Sequence, residues 1–372
     1  MRSDLTLDSS TGPEIDWPAR AAQVEAAVVG RHLRRVVGLP GTGLGLVSWP
    51  VTVAHRLSGR WNFWWQAHLL DCAVDAWMRS PDRHRRARVA LIVRSIRLRN
   101  FGRFTNDYYD DMAWIGLALQ RAEPTGAGNA RAVRSIVTKI LDAWSPPVGG
   151  IPWRVGTDFF NAPANGPAAI LLARSGFRGR AAQMTDWLDA NLRVPGIDLI
   201  ADGFHPGEVP LPVFYSYSQG VVLGAEAELA GESTDRSRIH RLVAAVERDL
   251  ADAGVLRGHG GGNGGLFTGI LARYLTVVAT SLPGAAPADE KTRTSARGLV
   301  LHSAAAAWAH RACAPRGPLL GADWTIPAIV PRRARTGRRD RVASELFAQP
   351  ERDLSVQLSG WMLMEAAASL AR

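Results

Sequence analysis

The sequence predicts an all-α protein of about a dozen helices, paired in chain order as six helical hairpins. Apolar residues recur at helical spacing through most of the 372-residue chain, and strand-like alternation is scarce. Short breaks containing Gly and Pro separate the periodic segments, as in SPPVGGIP from Ser145 to Pro152 and PGEVPLP from Pro206 to Pro212.

Taken in order, period and punctuation place helix starts near Pro18, Asn62, Asp82, Asp110, Asn129, Asn161, Arg180, Tyr215, Asp235, Gly265, Ser295 and Leu354. The segment Asn62 to Met78 is apolar almost all round, the mark of a helix buried on several sides. Six hairpins can close into a toroid with inner and outer rings or stack as an open solenoid. No sequence repeat at the hairpin period is visible, which weighs against the solenoid. The expected organisation is a single domain over residues 1–372 with a loose segment at 1–16. In a closed ring, the loops entering the inner helices would meet in a central cleft.

Hydrophobic residues make up 47% of the chain, which fits a globular protein rather than a disordered one. The formal charge is +10, yet Lys139 and Lys291 are the only lysines, so the basic charge is nearly all Arg. With the Ala-rich helices this reads as the codon bias of a GC-rich genome. No zinc-finger, homeodomain or RNA-recognition pattern accompanies the charge, so no nucleic-acid partner is expected. The densest basic run, Pro331 to Arg341, reads as a solvated loop; the alternative is weak docking to an anionic lipoglycan or membrane surface. Cys72 and Cys313 cannot form a disulfide framework, and no Cys or His cluster has metal-ligand spacing, so neither metal nor cofactor is expected. Cys72 lies in an apolar helical pattern and should be a buried thiol. The N-terminus lacks the apolar core of a signal peptide, and no apolar run of about 18 residues occurs, so the expectation is a cytoplasmic protein with no transmembrane segment.

The chemistry is sought at Asp110 and Asp111, which precede MAWIGLALQ. One acid there could simply cap a helix. Two adjacent carboxylates repel, so one is pushed to keep its proton, and a protonated acid beside an ionised one is what cleavage of a glycosidic bond requires. Successive helical residues point about 100° apart, letting the two groups diverge around a bond. Their adjacency suits the separation of about 5 to 5.5 Å found in retaining enzymes. The helix dipole favours ionisation of whichever Asp lies nearer the N-terminal N–H groups, holding the pair unequal.

Aromatic residues surround the pair. Tyr108, Tyr109 and Trp114 bracket it, and Trp64 and Trp65 with Gln66, and Trp153 in GGIPWR, repeat the association of Trp with turn residues. Such rings offer sugars an apolar platform with a polar edge. The count of 13 Trp exceeds what core packing usually selects. GHGGGNGG at Gly258 to Gly265 lacks the strand or nucleophile turn that would make it a nucleotide or oxyanion motif, and reads as a flexible loop or a substrate-facing one. Two rival functions are a magnesium-dependent prenyl-chain enzyme, which would want a carboxylate where Trp114 stands, and a glycan-binding barrel, which would be expected to have lost one of the two acids.

Together these blocks resemble glycoside hydrolase family 76, the endo-α-1,6-mannanases. The similarity runs through NFWWQAHLLD (Asn62 to Asp71), NDYYDDMAWIGLAL (Asn106 to Leu119), GGIPWR (Gly149 to Arg154) and NAPANGPAAILLAR (Asn161 to Arg174). It continues through IADGF (Ile200 to Phe204), FYSYSQGVVLGAEAEL (Phe214 to Leu229), LFTGILARYL (Leu266 to Leu275) and DLSVQLSGW (Asp353 to Trp361). The resemblance implies an (α/α)6 barrel, a mannan or mannooligosaccharide substrate and a covalent mannosyl-enzyme, with Asp110 as nucleophile and Asp111 as acid/base. It also implies substrate contacts from Trp64, Trp65, Gln66, Asn106, Tyr109, Trp114, Trp153, Asn165, Asp202, Tyr217 and Gln219. If the source is an actinomycete, the natural target would be the mannan core of a lipoglycan. The chain departs from the family at Thr268, where a Lys is usual, and at Ile115, where the family has a Trp that could stack on sugar.

Overall fold

The computed structural model describes residues 15–51, 61–231, 236–331 and 349–371. Most of the loose segment expected at 1–16 and nearly all of the Arg-rich run at 331–341 lie outside them.

Among the described residues there are twelve α-helices: α1 Trp17–His32, α2 Phe63–Arg79, α3 Arg83–Arg99, α4 Tyr109–Arg121, α5 Ala130–Asp142, α6 Ala162–Arg174, α7 Arg178–Leu192, α8 Ser216–Leu229, α9 Ser237–Asp249, α10 Phe267–Ser281, α11 Pro287–Ala309 and α12 Leu354–Leu370. Eleven begin within a few residues of the expected start. The exception is α11, which starts at Pro287 rather than Ser295: Pro at its first position and Asp289 in its first turn begin the helix two polar turns before the apolar pattern appears.

Each even-numbered helix packs against the next even-numbered one, and α12 returns to α2, so these six form a closed inner ring. The odd-numbered helices lie outside, completing an (α/α)6 barrel. Burial follows from this placement. Helix α6 buries twelve of its 13 residues, whereas outer α5 buries one stripe, Val133, Ile136, Val137 and Ile140, at the helical repeat. Local caps agree with the sequence: Asp16, Asp82, Asn129 and Asn161 each accept a hydrogen bond from a first-turn N–H of the following helix, worth about 1 kcal/mol apiece. Between neighbouring inner helices the backbones nearly touch. A Cβ at Gly269 would lie 2.5 Å from Ser359 Cα, so α10 and α12 can meet this closely only with glycine there.

Because the chain alternates between rings, the inner helices run parallel and all their N-termini face one end. The loops that reach that end are fixed by a recurring device. Gln66, Asn165, Gln219 and Gln357, each the fourth residue of an inner helix, are buried, and each clamps one residue of the preceding loop through both peptide groups. Gln66 Nε2 donates to Gly45 O while its Oε1 accepts from Gly45 N. Asn165 does the same to Ile151, Gln219 to Ile200, and Gln357 to Leu320. Each amide also donates to a second carbonyl, of Trp61, Asn161, Tyr215 and Glu351 respectively. The expectation that Gln66, Asn165 and Gln219 touch substrate is therefore corrected. They are 0% exposed and their hydrogen-bonding capacity is taken by the backbone, which an isolated loop could not otherwise satisfy.

The opposite end is closed by ion pairs. Arg121 pairs with Asp71 and Asp75, Arg273 reaches Asp75 at 2.5 Å, and Arg79 bridges Glu365 at 2.8 Å and Glu25 at 2.7 Å. Cys72 is a fully buried thiol, as expected. No helix among the described residues is long and apolar enough to cross a membrane.

Candidate active site

A cleft of about 520 Å³ opens at the N-terminal end of the inner ring. Its walls come from the starts of successive inner helices: Trp64 on α2, Asp110, Asp111 and Trp114 on α4, Asn161 before α6, Tyr217 on α8 and Phe267 on α10. A second cavity, of about 190 Å³, lies at the other end among Asp75, Arg79, Arg121, Arg273 and Glu365. Those charges neutralise one another, so the acids available for chemistry are the ones in the first cleft.

Asp110 and Asp111 occupy the first turn of α4, and the residue at the cap is Tyr108, which makes no side-chain cap. Asp110 Oδ2 accepts from Trp153 Nε1 at 3.1 Å, while its Oδ1 is buried with no hydrogen-bond partner among the described residues. Asp111 Oδ2 accepts from Asn106 Nδ2 at 2.5 Å, and Asn106 Oδ1 in turn accepts from Tyr108 N at 3.0 Å. Asn106 therefore braces the second carboxylate from the loop before the helix.

The two acids are unequal. Burial pushes both up, Asp110 to about 6 and Asp111 to about 8. The difference has a local cause. Asp110 is helped to ionise by the Trp153 indole and by backbone N–H groups at the helix start, whereas Asp111 faces the charge of Asp110 with only Asn106 to offset it. A third carboxylate, Asp202, is also raised to about 6 by burial, and its buried Oδ1 has no hydrogen-bond partner among the described residues. It is carried into the cleft by a two-residue antiparallel pairing, Phe160–Asn161 with Gly203–Phe204, and by a hydrogen bond from Ala162 N to Asp202 O at 2.8 Å.

The aromatic walls separate into cleft and core. Trp114 stands one turn below Asp110 on the same face of α4 and floors the cleft. Beneath it, the neutral His68 ring packs 4.6 Å from Trp114 and 5.7 Å from Trp64. Tyr217 stacks on Phe267 at 3.9 Å and 6°. Trp153 lines the cleft above the pair, edge-on to Tyr108 at 5.0 Å. Besides Asn106, which holds Asp111 but does not line the cleft, two further expected contacts do not reach it. Trp65 is 4% exposed, and its Nε1 donates to Asn263 Oδ1 at 3.2 Å, so it positions a cleft residue without facing the cleft itself. Tyr109, the first helical residue, packs against the hydrophobic core, and its neighbour Tyr108 takes the cleft position. Much of the Trp complement is core after all, Trp17, Trp65, Trp187, Trp324 and Trp361 being buried.

Residues not singled out from sequence also line the cleft: Asn62, Phe63, Phe159, Asn161, Asn263 and Phe267. Asn263 brings the Gly-rich loop to the site, where residues 262–266 form a short 3-10 turn. The signal for Asn62 and Asn161 was present, since both stand immediately before inner helices. Phe159 carried none. Thr268, which replaces the expected Lys, is buried and donates to Arg257 O at 3.0 Å, and Ile115 is wholly buried. Neither Thr268 nor Ile115 lines the cleft.

Comparison with known proteins follows the same lines. The model of Glycosyl hydrolase family 76 matches residues 25–328. The α-1,6-mannanase of Salegentibacter sp. HEL1_6 is 26% identical, with a TM-score of 0.76 over 95% of this chain and 100% of that one. An inactive variant of that mannanase, with two consecutive aspartates changed to asparagine and α-1,6-mannotriose bound, is similar at 26% identity, a TM-score of 0.75 and the same coverage. A protein from Listeria innocua, 21% identical, shares the fold with a TM-score of 0.78 over 96% of this chain and 98% of its own. No curated protein matches.

Proposed function

The chain belongs to glycoside hydrolase family 76, and from that premise we propose that it cleaves α-1,6-mannosidic linkages of a mannan backbone with retention of configuration. The observation that carries this reading is the pair of adjacent, half-buried acids, Asp110 and Asp111, in the first turn of one inner helix and open to an aromatic cleft. Two similar structures support the linkage, one described as an α-1,6-mannanase and one as an inactive variant holding α-1,6-mannotriose.

At neutral pH, Asp110 is the carboxylate and Asp111 the acid. Trp153 donates to Asp110 Oδ2, and the Asp110 carboxylate attacks the anomeric carbon. As the carbon–oxygen bond to the leaving sugar breaks, Asp111 gives its proton to the departing oxygen, and a mannosyl ester forms on Asp110. Asp111, now ionised, takes a proton from water as the water attacks the same carbon and the ester bond to Asp110 breaks, releasing its carboxylate. Mannose-terminated product leaves, and both acids return to their starting states. The Trp114 floor and the Tyr217–Phe267 stack supply apolar faces for the sugars. Among mannan backbones we include the mannan core of a lipoglycan, whose anionic groups the cationic run at 331–341 would complement.

The test is hydrolysis of α-1,2-, α-1,3- and α-1,6-linked mannooligosaccharides, with the anomer of the first product read by NMR. Asp110→Asn and Asp111→Asn should each abolish α-1,6 cleavage while preserving the fold. Full activity in either variant, or an inverted first product, would overturn the mechanism.

A further inference from the structure

Beside the catalytic cleft lies a second, more open compartment of about 740 Å³, lined by Trp153, Gly156, Thr157, Asp158, Phe159 and His205. It shares Trp153 and Phe159 with the cleft, so the two adjoin at those rings. Two segments far apart in sequence build it. Residues 153–159 enter α6, while His205 follows the short strand that carries Asp202. The pairing of Phe160 with Phe204 fixes them side by side.

Three features define what this compartment can hold. The Phe159 and His205 rings lie 5.2 Å apart and inclined at 44°, giving an apolar floor between two aromatic faces. Asp158 Oδ1 meets His205 Nδ1 at 2.8 Å, and both side chains remain well exposed, so the pair keeps polar atoms free for neighbouring hydroxyls. No lysine or arginine is among the lining residues, and the carboxylate of Asp158 opposes a second anion. An apolar face flanked by an ordered donor–acceptor pair, without cationic charge, suits a neutral sugar.

We propose that Asp158 and His205 form an outlying glycan subsite, one that engages a neutral hexosyl residue of the chain beyond those occupying the catalytic cleft and so sets a preference for longer, uncharged substrates. This inference rests on the α-1,6-mannan reading above. Neither residue touches Asp110 or Asp111, so the subsite contributes binding energy remote from the reacting bond, and its effect belongs to substrates long enough to reach it.

The experiment measures kcat/KM for the full-length enzyme and for Asp158→Ala and His205→Ala on a ladder of α-1,6-mannooligosaccharides of rising length. Thermal melts confirm that these exposed substitutions leave the fold intact. For chains that reach the compartment, kcat/KM should fall roughly 5- to 10-fold, as the loss of one or two hydrogen bonds implies. The shortest cleavable substrate should be unaffected. A chain whose far sugar carries a carboxylate should be a poorer substrate than its neutral counterpart, and Asp158→Asn should narrow that gap. Equal losses at every length would show a merely structural role and overturn the proposal. So would wild-type behaviour at every length, with the mannanase reading left standing. If the unmodified enzyme cleaves none of the ladder, the α-1,6-mannan reading itself falls and this subsite with it.

Discussion

Trp153 Nε1 donates to Asp110 Oδ2 at 3.1 Å, tying the aromatic wall of the cleft to the one carboxylate that must be ionised. The bond favours the charged form of Asp110. Trp153→Phe keeps an aromatic wall and removes only the donor. A hydrogen bond to a charged group is worth about 1.5–3 kcal/mol, so kcat/KM should fall by roughly one to two orders of magnitude. The acidic limb of the pH profile should also move upward. A variant with unchanged kcat and an unmoved acidic limb would show that the indole plays no part in setting the carboxylate.

The pH dependence of kcat/KM follows from the pair. Activity requires Asp110 ionised and Asp111 protonated, so it should be lost as pH falls through about 6 and as it rises through about 8. The two limbs belong to the coupled pair as a whole. Asp111→Gln, which cannot titrate, should abolish the alkaline limb from whatever residual activity survives.

The same shifts carry a stability cost. Both carboxyls lie above the unfolded value of about 4, so the folded protein holds protons that the unfolded chain has released. The stabilisation they give is complete below that unfolded value and is lost as pH rises through about 6 and then about 8. Asp111→Asn escapes the second loss. Its melting temperature should exceed that of the parent by on the order of a few degrees above pH 8, the difference shrinking toward acid. Identical melting curves at alkaline pH would contradict the assigned shift.

Gln219 separates a structural role from a binding one. Gln219→Ala strands the N–H and C=O of Ile200 and the C=O of Tyr215 in a buried setting. Unfolding free energy should drop by about 3 kcal/mol or more, while KM of the enzyme that remains folded stays near that of the parent. A raised KM with unchanged stability would restore Gln219 to the substrate.

At the closed end, Arg273→Met leaves Asp71 and Asp75 with Arg121 as their remaining cation. Breaking such a pair costs about 3–5 kcal/mol, measurable by chemical denaturation, with kcat of the folded enzyme preserved.

The architecture was readable because most helices announce themselves twice, by an apolar period and by a capping residue such as Asp82 or Asn161. Helix α11 was misplaced at its start because its first two turns are polar and outward, and burial is the only signal a period carries. The acid pair was legible for the opposite reason: two adjacent carboxylates at a helix mouth have no economical structural use. What sequence could not separate was Tyr108 from Tyr109, where one residue of helical phase turns a ring from cleft to core. Nor could it tell a buried amide from a cleft-facing one. Asn165 and Gln219 stand at helix entrances in either case, and their partners, Ile151 and Ile200, show nothing in sequence because it is their peptide groups that are bound.

That last point reaches beyond this chain. The four clamped residues are Gly45, Ile151, Ile200 and Leu320, three buried aliphatics and a glycine with no room for a Cβ, and each is held through its peptide groups. A fastening addressed to the main chain is indifferent to what the rim segments display. Exposed side chains beside the clamped residues can be exchanged to suit new polysaccharides while the main-chain path, and with it the two aspartates, stays in place. With Trp153 and Asp202 kept, since both reach the cleft from the rim, a designer could alter the exposed rim positions between clamps and leave the reacting centre in place.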